Sequence, residues 1–189
     1  MALEFQRYGR NKSTLINRAY LESGEYRRKF DQIPGNLSVR RSLYQKAKEA
    51  LLHRSGTAYE DMFWIDEISG SVVLEITDSN VERAILYTDR IKRTVKNRSN
   101  IITLHTHPSS MPPSVSDFNS CFRNNYKMGV VAAHDGKIFV YTSEQEVNET
   151  LYYLYIASCL KEGCDEFTAQ VKAIERIKQN CQIDFWEAK

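Results

Sequence analysis

The chain has 189 residues, of which 42% are hydrophobic and 26% charged, and a formal net charge of +2. That length fits one domain with an appendage, and that balance supplies a core while leaving no repeat or low-complexity segment. The longest apolar run, Leu151 to Ala157, is far short of a membrane span, and the start, Met1-Ala-Leu-Glu-Phe-Gln-Arg7, has no signal-like apolar block, so a cytoplasmic protein with no membrane partner is expected.

The small net charge conceals an asymmetry. Residues 1–56 carry 12 Lys/Arg against 5 Asp/Glu, a balance of +7, and residues 57–189 carry 14 against 19, a balance of −5. A basic front can meet nucleic acid or an acidic partner, or can be the solvated side of helices whose apolar positions pack inward, as the interleaving in Tyr26-Arg-Arg-Lys-Phe30 suggests. Cys121, Cys159, Cys164 and Cys181 show no close-paired metal spacing and are expected as reduced thiols.

In chain order, residues 1–12 are polar and read as a mobile lead. Ser13 can cap a helix carrying Leu15, Ile16, Ala19 and Tyr20, and a second short helix spans Glu25 to Ile33. Pro34-Gly35-Asn36 ends it, and Ser38 can cap a longer helix in which Val39, Leu43, Ala47, Ala50 and Leu51 recur at spacings of three and four until Ser55-Gly56. Tyr59 to Asp66 and Val72 to Thr77 read as a hairpin. Glu82 to Asn97 has helix-compatible periodicity, and Ile101 to Leu104 is a β-branched strand.

That strand ends in His105-Thr-His107, two imidazoles on one side because strand side chains alternate. A Pro-rich turn follows, then Ser114-Val-Ser-Asp117 opens a helix over Ser116 to about Asn125 and returns a carboxylate to the strand end. Met128 to Ala133 and Lys137 to Thr142 flank His134-Asp135-Gly136, a hairpin signal. Glu146 to Leu160 and Cys164 to Asn180 read as helices, and Ile183-Asp-Phe-Trp186 as a bulky tail that docks on the core or on a partner.

Two imidazoles and one carboxylate, with a fourth position left for water, form the ligand set of a catalytic zinc site. His105-x-His107-Pro108 followed by Ser114-x-x-Asp117 resembles the signature of the JAMM metallopeptidases, also called MPN+ or JAB domains, over about residues 40–143. Six residues, Pro108 to Pro113, separate His107 from Ser114, one fewer than in many members. The resemblance implies an α/β fold of the JAB/MPN, cytidine-deaminase-like kind, a mixed sheet flanked by helices; the residue pattern adds a basic helical extension over 1–36 and, in a catalytic domain over 37–189, C-terminal helices from about 145. It also implies one Zn2+ per chain on His105, His107 and Asp117, Glu60 on an earlier strand as general base and acid, and Ser114 steadying the oxyanion of amide hydrolysis.

Alternatives accompany several of these residues. Glu67 competes with Glu60, but belongs to the turn at Ser69-Gly70 and, seven residues away on a strand, faces the other side. Ser114 and Asp117 also read as a capping box, a role opposed to ligation by Asp117. Cys121, one helical turn past Asp117, is a packed neighbour or a ligand; His53 complements a helix end, and His134 is a turn residue that can border the cleft.

Relatives in the JAMM family cleave next to ubiquitin-like tails or small peptide amides, so a protein or peptide substrate is expected, with about 45 residues between Glu60 and His105 pointing to a compact enzyme similar to phage or mobile-element JAB domains. A similar motif occurs in the RadC group, long linked to DNA repair, which keeps a nucleic-acid role open on the strength of the basic front. A non-catalytic MPN scaffold is a third reading, against which all five motif positions are filled.

Overall fold

The computed structural model describes residues 14–96 and 98–189. The predicted mobile lead over 1–12 and the Ser13 cap lie outside them. The N-terminal segment starts with α1 (Arg18–Leu21), capped by Asn17, and α2 (Gly24–Lys29), capped by Ser23 and continued by a 3-10 turn over Phe30–Gln32. Leu21, Tyr26, Phe30 and Ile33 are fully buried in the same cluster as α3 (Leu37–Arg54) and one face of the sheet. Asn36, rather than Ser38, caps α3: its Oδ1 accepts Val39 N–H at 3.0 Å while its Nδ2 donates to Ile68 O at 2.7 Å. The side chain that starts the helix therefore also fixes the next turn.

The sheet comprises β1 (Met62–Asp66), β2 (Val72–Ile76), β3 (Ile101–His107), β4 (Met128–Ala133), β5 (Ile138–Ser143) and β6 (Ile183–Ala188), in the order β2-β1-β3-β4-β5-β6. Only β3 and β4 are parallel; the other neighbours are antiparallel. Both central strands are buried along their whole length, which requires cover on both sides. The alternation of side chains divides the core in two. Phe63, Ile65, Ile102 and Leu104 meet α3 and the N-terminal segment, whereas Trp64, Ile101, Val131 and Phe139 meet α4 (Asp89–Val95), α5 (Val115–Arg123), α6 (Glu149–Lys161) and α7 (Glu166–Lys178).

Gly129 marks a tight point in this packing. A Cβ there would lie 2.0 Å from Tyr141 Cζ, so its hydrogen is what lets the Tyr141 ring cross β4 and meet Phe118 edge-on at 5.3 Å.

Two expectations are corrected. The helix read over Glu82 to Asn97 reaches only Asp89–Val95, because Thr88 Oγ1 caps it by accepting Ile91 N–H and Glu82 bridges to Tyr59 as extended chain. The chain also does not finish in helices. Ile183 and Phe185 alternate with exposed neighbours, and β6 closes the sheet along β5 with Trp186 opposite Val140. Among the described residues no helix is long and apolar enough to cross a membrane.

Candidate metal centre

The C-terminal ends of the one parallel strand pair form the floor of the site, the place where α/β sheets open a crevice. His105 and His107 share a face of β3 with Ile101 and Thr103, and they are 4% and 8% exposed. Their Nε2 atoms lie 3.0 Å apart. His107 Nδ1 donates to Met111 O at 2.9 Å; since a carbonyl only accepts, the proton is on Nδ1 and the Nε2 lone pair faces His105.

The loop after β3 is fastened at several points. Ser110 adopts φ 56° as its N–H turns back to His107 O at 3.0 Å, and its Oγ accepts Asp135 N–H at 2.9 Å. Gln170 Nε2, from α7, donates to Pro112 O and Pro113 O at 3.0 Å each. The loop thus delivers Ser114 as N-cap of α5, where Ser114 Oγ accepts Asp117 N–H at 3.3 Å. Asp117 Oδ2 accepts from Ser114 N at 2.6 Å and from Ser114 Oγ at 2.8 Å, completing a capping box.

The same carboxylate faces the imidazoles. Asp117 Oδ1 is 3.3 Å from His105 Nε2, and Oδ2 is 3.6 Å from His107 Nε2. Capping and facing the histidines, opposed in the sequence, coexist because Oδ2 takes the cap while still facing His107, and Oδ1 is left for His105. A tetrahedral ion with ligand bonds of 2.0–2.1 Å keeps its ligand atoms roughly 3.3 Å apart. The two Nε2 atoms are 3.0 Å apart, and the carboxylate approaches one with Oδ1 and the other with Oδ2 at 3.3 and 3.6 Å, so the three side chains converge closely enough that the cluster could hold a metal ion. No family model, curated protein or solved structure matches this chain.

Glu60 reaches the cluster from the segment just before β1, rather than from the strand itself. β1 runs antiparallel to β3 with Met62 opposite His105, and Glu60, two residues before Met62, keeps to the same face and lines the cavity with His105, His107 and Asp117. Burial pushes its carboxyl up to about 8, against the opposing charges of His105 and Arg83 and with that of Asp117. Glu67 lies at the far end: its N–H donates at 2.8 Å to Asn100 O, just before β3 begins.

The residue after Glu60 anchors it from behind. Asp61, 1% exposed, points to α3, where its carboxylate accepts Arg54 Nε–H and pairs with His53 Nδ1 at 2.8 Å. Its backbone is stitched to Thr106, through Asp61 N–H to Thr106 Oγ1 and Thr106 N–H to Asp61 O, both at 3.1 Å. His53 therefore meets a buried acid, beyond the helix-end role read for it.

The protein's own charges set the protonation of the cluster. For Asp117, burial favours the neutral acid, but His105, His107 and the Ser114 N–H outweigh it and hold the carboxyl well below its usual range. Burial likewise opposes charge on His105, yet Asp117 and Glu60 raise it; for His107, burial and then the His105 charge bring the imidazole down to about 4.

His134 is buried beside the cluster. Its N–H donates to His107 O at 3.2 Å and its Nδ1 to Thr14 O at 2.8 Å, which ties the N-terminal segment to the loop under the metal centre. Cys121 lines the cavity and its thiol reaches Tyr126 O at 3.5 Å. Neither belongs to the three-residue group. The sequence reading passed over Asp61, Gln170, and the hydroxyls of Tyr87, Ser120 and Tyr126 along the cavity wall. Only Asp61, an acid beside the candidate base, carried a local signal.

Proposed function

We propose that the protein is a zinc-dependent amide hydrolase of the JAMM type, acting on a peptide or isopeptide bond. The observation that carries this reading is the largely buried His105–His107–Asp117 cluster, close enough to hold a metal ion, with the Glu60 carboxyl, from the segment before β1, lining the same cavity. The mixed sheet with helices on both sides accords with a JAB/MPN-like fold. Two nitrogens and one carboxylate oxygen suit zinc and leave an open position, the pattern of catalytic rather than structural sites.

Zinc bound there would supply a Lewis acid that brings the pKa of a ligated water from about 15.7 toward roughly 7. Glu60 then serves as the proton carrier. A buried carboxyl whose affinity for a proton is raised takes one readily, and a nearby divalent charge offsets part of that rise, leaving it in the range a general base needs at neutral pH. The proton it accepts passes to the leaving amine. Asp61, held by Arg54 and His53, keeps the Glu60 backbone in register with β3.

For Ser114, the hydrogen bonds with Asp117 favour an orienting role over the oxyanion contact that the resemblance implies, because its hydroxyl proton is directed at the carboxylate. Met111 O orients His107 in the same manner by fixing its tautomer.

The test is Glu60→Gln in protein loaded with zinc and incubated with ubiquitin-like fusions and cell extract, products being read by mass spectrometry. The variant should keep its metal while turnover falls by about 10^2 to 10^4. An unimpaired Glu60→Gln protein would remove Glu60 from the mechanism, and wild type that cuts nothing would remove the hydrolase reading.

A further inference from the structure

The cavity beside the candidate ligands, about 190 Å³ in volume, is lined by Arg83, Ala84, Ile85 and Tyr87 before α4 and by α5, and it reaches a wall of hydroxyls. Tyr87 Oη lies 3.2 Å from Ser120 Oγ and 3.4 Å from Tyr126 Oη, and Tyr126 Oη accepts Trp64 Nε1–H at 2.9 Å. Three hydroxyls bring three protons, and the two hydroxyl–hydroxyl contacts use two. Trp64 can only donate, and Asn124 Nδ2, 3.4 Å from Ser120 Oγ, adds a further donor. With Ser120 and Tyr126 both donating to Tyr87, the remaining proton is that of Tyr87, and the atom in its reach is the weakly accepting thioether of Met62, 3.9 Å away.

The wall therefore presents a strong donor without a matching acceptor. It is also held firmly: the Tyr87 ring packs edge-on against Trp64 at 5.8 Å, and Trp64 is fully buried. Among the described residues that line the cavity, Arg83 is the one that bears a permanent positive charge, and its charge already acts on Glu60. An anionic group would have to shed its water without a cation of its own, so an uncharged acceptor fits better. Ser120 lies three residues beyond Asp117 in α5, about 4.5 Å along the helix at 1.5 Å per residue. That is close to one residue of a bound peptide, about 3.8 Å. The hydroxyls thus line the same cavity as the candidate ligands, set off from Asp117 by about one residue's length, and suit a side chain beside the reacting amide.

We propose that Tyr87, with Ser120 and Tyr126 behind it, forms a binding subsite for a neutral oxygen acceptor, the side-chain amide of glutamine or asparagine in the residue beside the cleaved bond. The substrate carbonyl accepts the Tyr87 proton, and the Thr103 and Tyr141 hydroxyls lining the same cavity can accept from the amide NH2. This rests on the amide-hydrolase reading for its meaning, yet its binding step is measurable without metal.

Metal-free protein would be titrated, with NMR detection, with N-acetyl-glutamine amide, N-acetyl-norleucine amide and N-acetyl-glutamate amide. The glutamine compound should bind roughly three- to tenfold tighter than either other compound, the worth of one net hydrogen bond. Tyr87→Phe should remove that preference, whereas Tyr26→Phe, in the core cluster on the other face of the sheet, should keep it within about twofold. Should Tyr87→Phe fail to fold, the shifts that the glutamine compound induces at the Tyr87 ring of labelled wild type decide the matter. Equal binding of the three compounds, a preference that survives Tyr87→Phe, or an unmoved Tyr87 ring would overturn the proposal.

A second arm separates the two readings. Zinc-loaded wild type would be incubated with a proteome-derived peptide library, and residues flanking the cuts counted by mass spectrometry. Enrichment of glutamine or asparagine beside the cut supports the subsite, and cuts without it overturn it. A library left intact while the amide still binds at Tyr87 upholds the subsite and defeats only the hydrolase reading.

Discussion

Ser114→Ala separates two roles for one hydroxyl. In the structure that hydroxyl accepts Asp117 N–H at 3.3 Å and donates to Asp117 Oδ2 at 2.8 Å, while the Ser114 N–H to Asp117 contact at 2.6 Å survives the substitution. Loss of an N-cap oxygen costs about 1 kcal/mol. The donated bond is charge-assisted, within a partly buried site, and adds about 1 kcal/mol more. The variant should therefore unfold in urea with stability lowered by about 2 kcal/mol. Because Asp117 loses a partner that orients its carboxylate, zinc affinity measured against a competing chelator should fall about 10- to 100-fold, the usual cost of disturbing a group that holds a metal ligand. Loss of an oxyanion donor has a different signature: kcat falls about 10^2- to 10^3-fold with metal affinity unchanged. Unaltered zinc affinity and urea midpoint alongside such a fall in kcat would refute the anchoring role.

Three further outcomes follow from the packing. Gly129→Ala puts a methyl group 2.0 Å from Tyr141 Cζ and should cost about 3 kcal/mol or more in urea unfolding; part of this should return on adding Tyr141→Leu. Arg54→Met leaves the Asp61 carboxylate buried with only His53 as partner and should destabilise by about 3 kcal/mol, while a change under about 0.5 kcal/mol would show that Asp61 does not depend on Arg54. Tyr26 is fully buried, its hydroxyl finds no partner among the described residues, and burial raises its pKa. Its phenol loses a proton more easily in the unfolded chain, near pH 10, so stability is intact below that pH and falls as pH rises above it. Tyr26→Phe should unfold at a higher alkaline midpoint without loss of stability at pH 7; an unchanged midpoint would dismiss Tyr26 as a cause.

What could be read in the sequence follows from how local each signal is. The two histidines declared a shared face through the period of two, and Ser114 with Asp117 declared a helix start, because both patterns are complete within a few residues. Glu60 was singled out by the family resemblance, and the aromatic and apolar run over Tyr59 to Asp66 marked the strand that follows it. The contacts that hold the site were not legible. Gln170 meets the Pro112 and Pro113 carbonyls across 58 and 57 residues, and Trp64 meets Tyr126 across 62, distances at which no sequence pattern survives. The segment over Glu82 to Thr88 misled for a related reason. Ile85 and Leu86, then Ile91 and Val95, fit a helical period, but Ile85 and Tyr87 pack on the Trp64 side of the sheet, the helix starts only at Asp89, and the segment before it gives the cavity its wall. Ile183 to Ala188 did not announce itself as a strand because no hairpin turn ties it to a partner: α6 and α7 separate it in sequence from β5, whose edge it takes.

The most direct measurement is the anomalous scattering of zinc in crystals grown with that ion, recorded on both sides of its absorption edge. One peak per chain is predicted, about 2.0–2.1 Å from Nε2 of His105, Nε2 of His107 and a carboxylate oxygen of Asp117, with Glu60 facing its open side. Crystals that bind zinc elsewhere, or none, while the two imidazoles and the acid hold the spacing described here, would contradict the account.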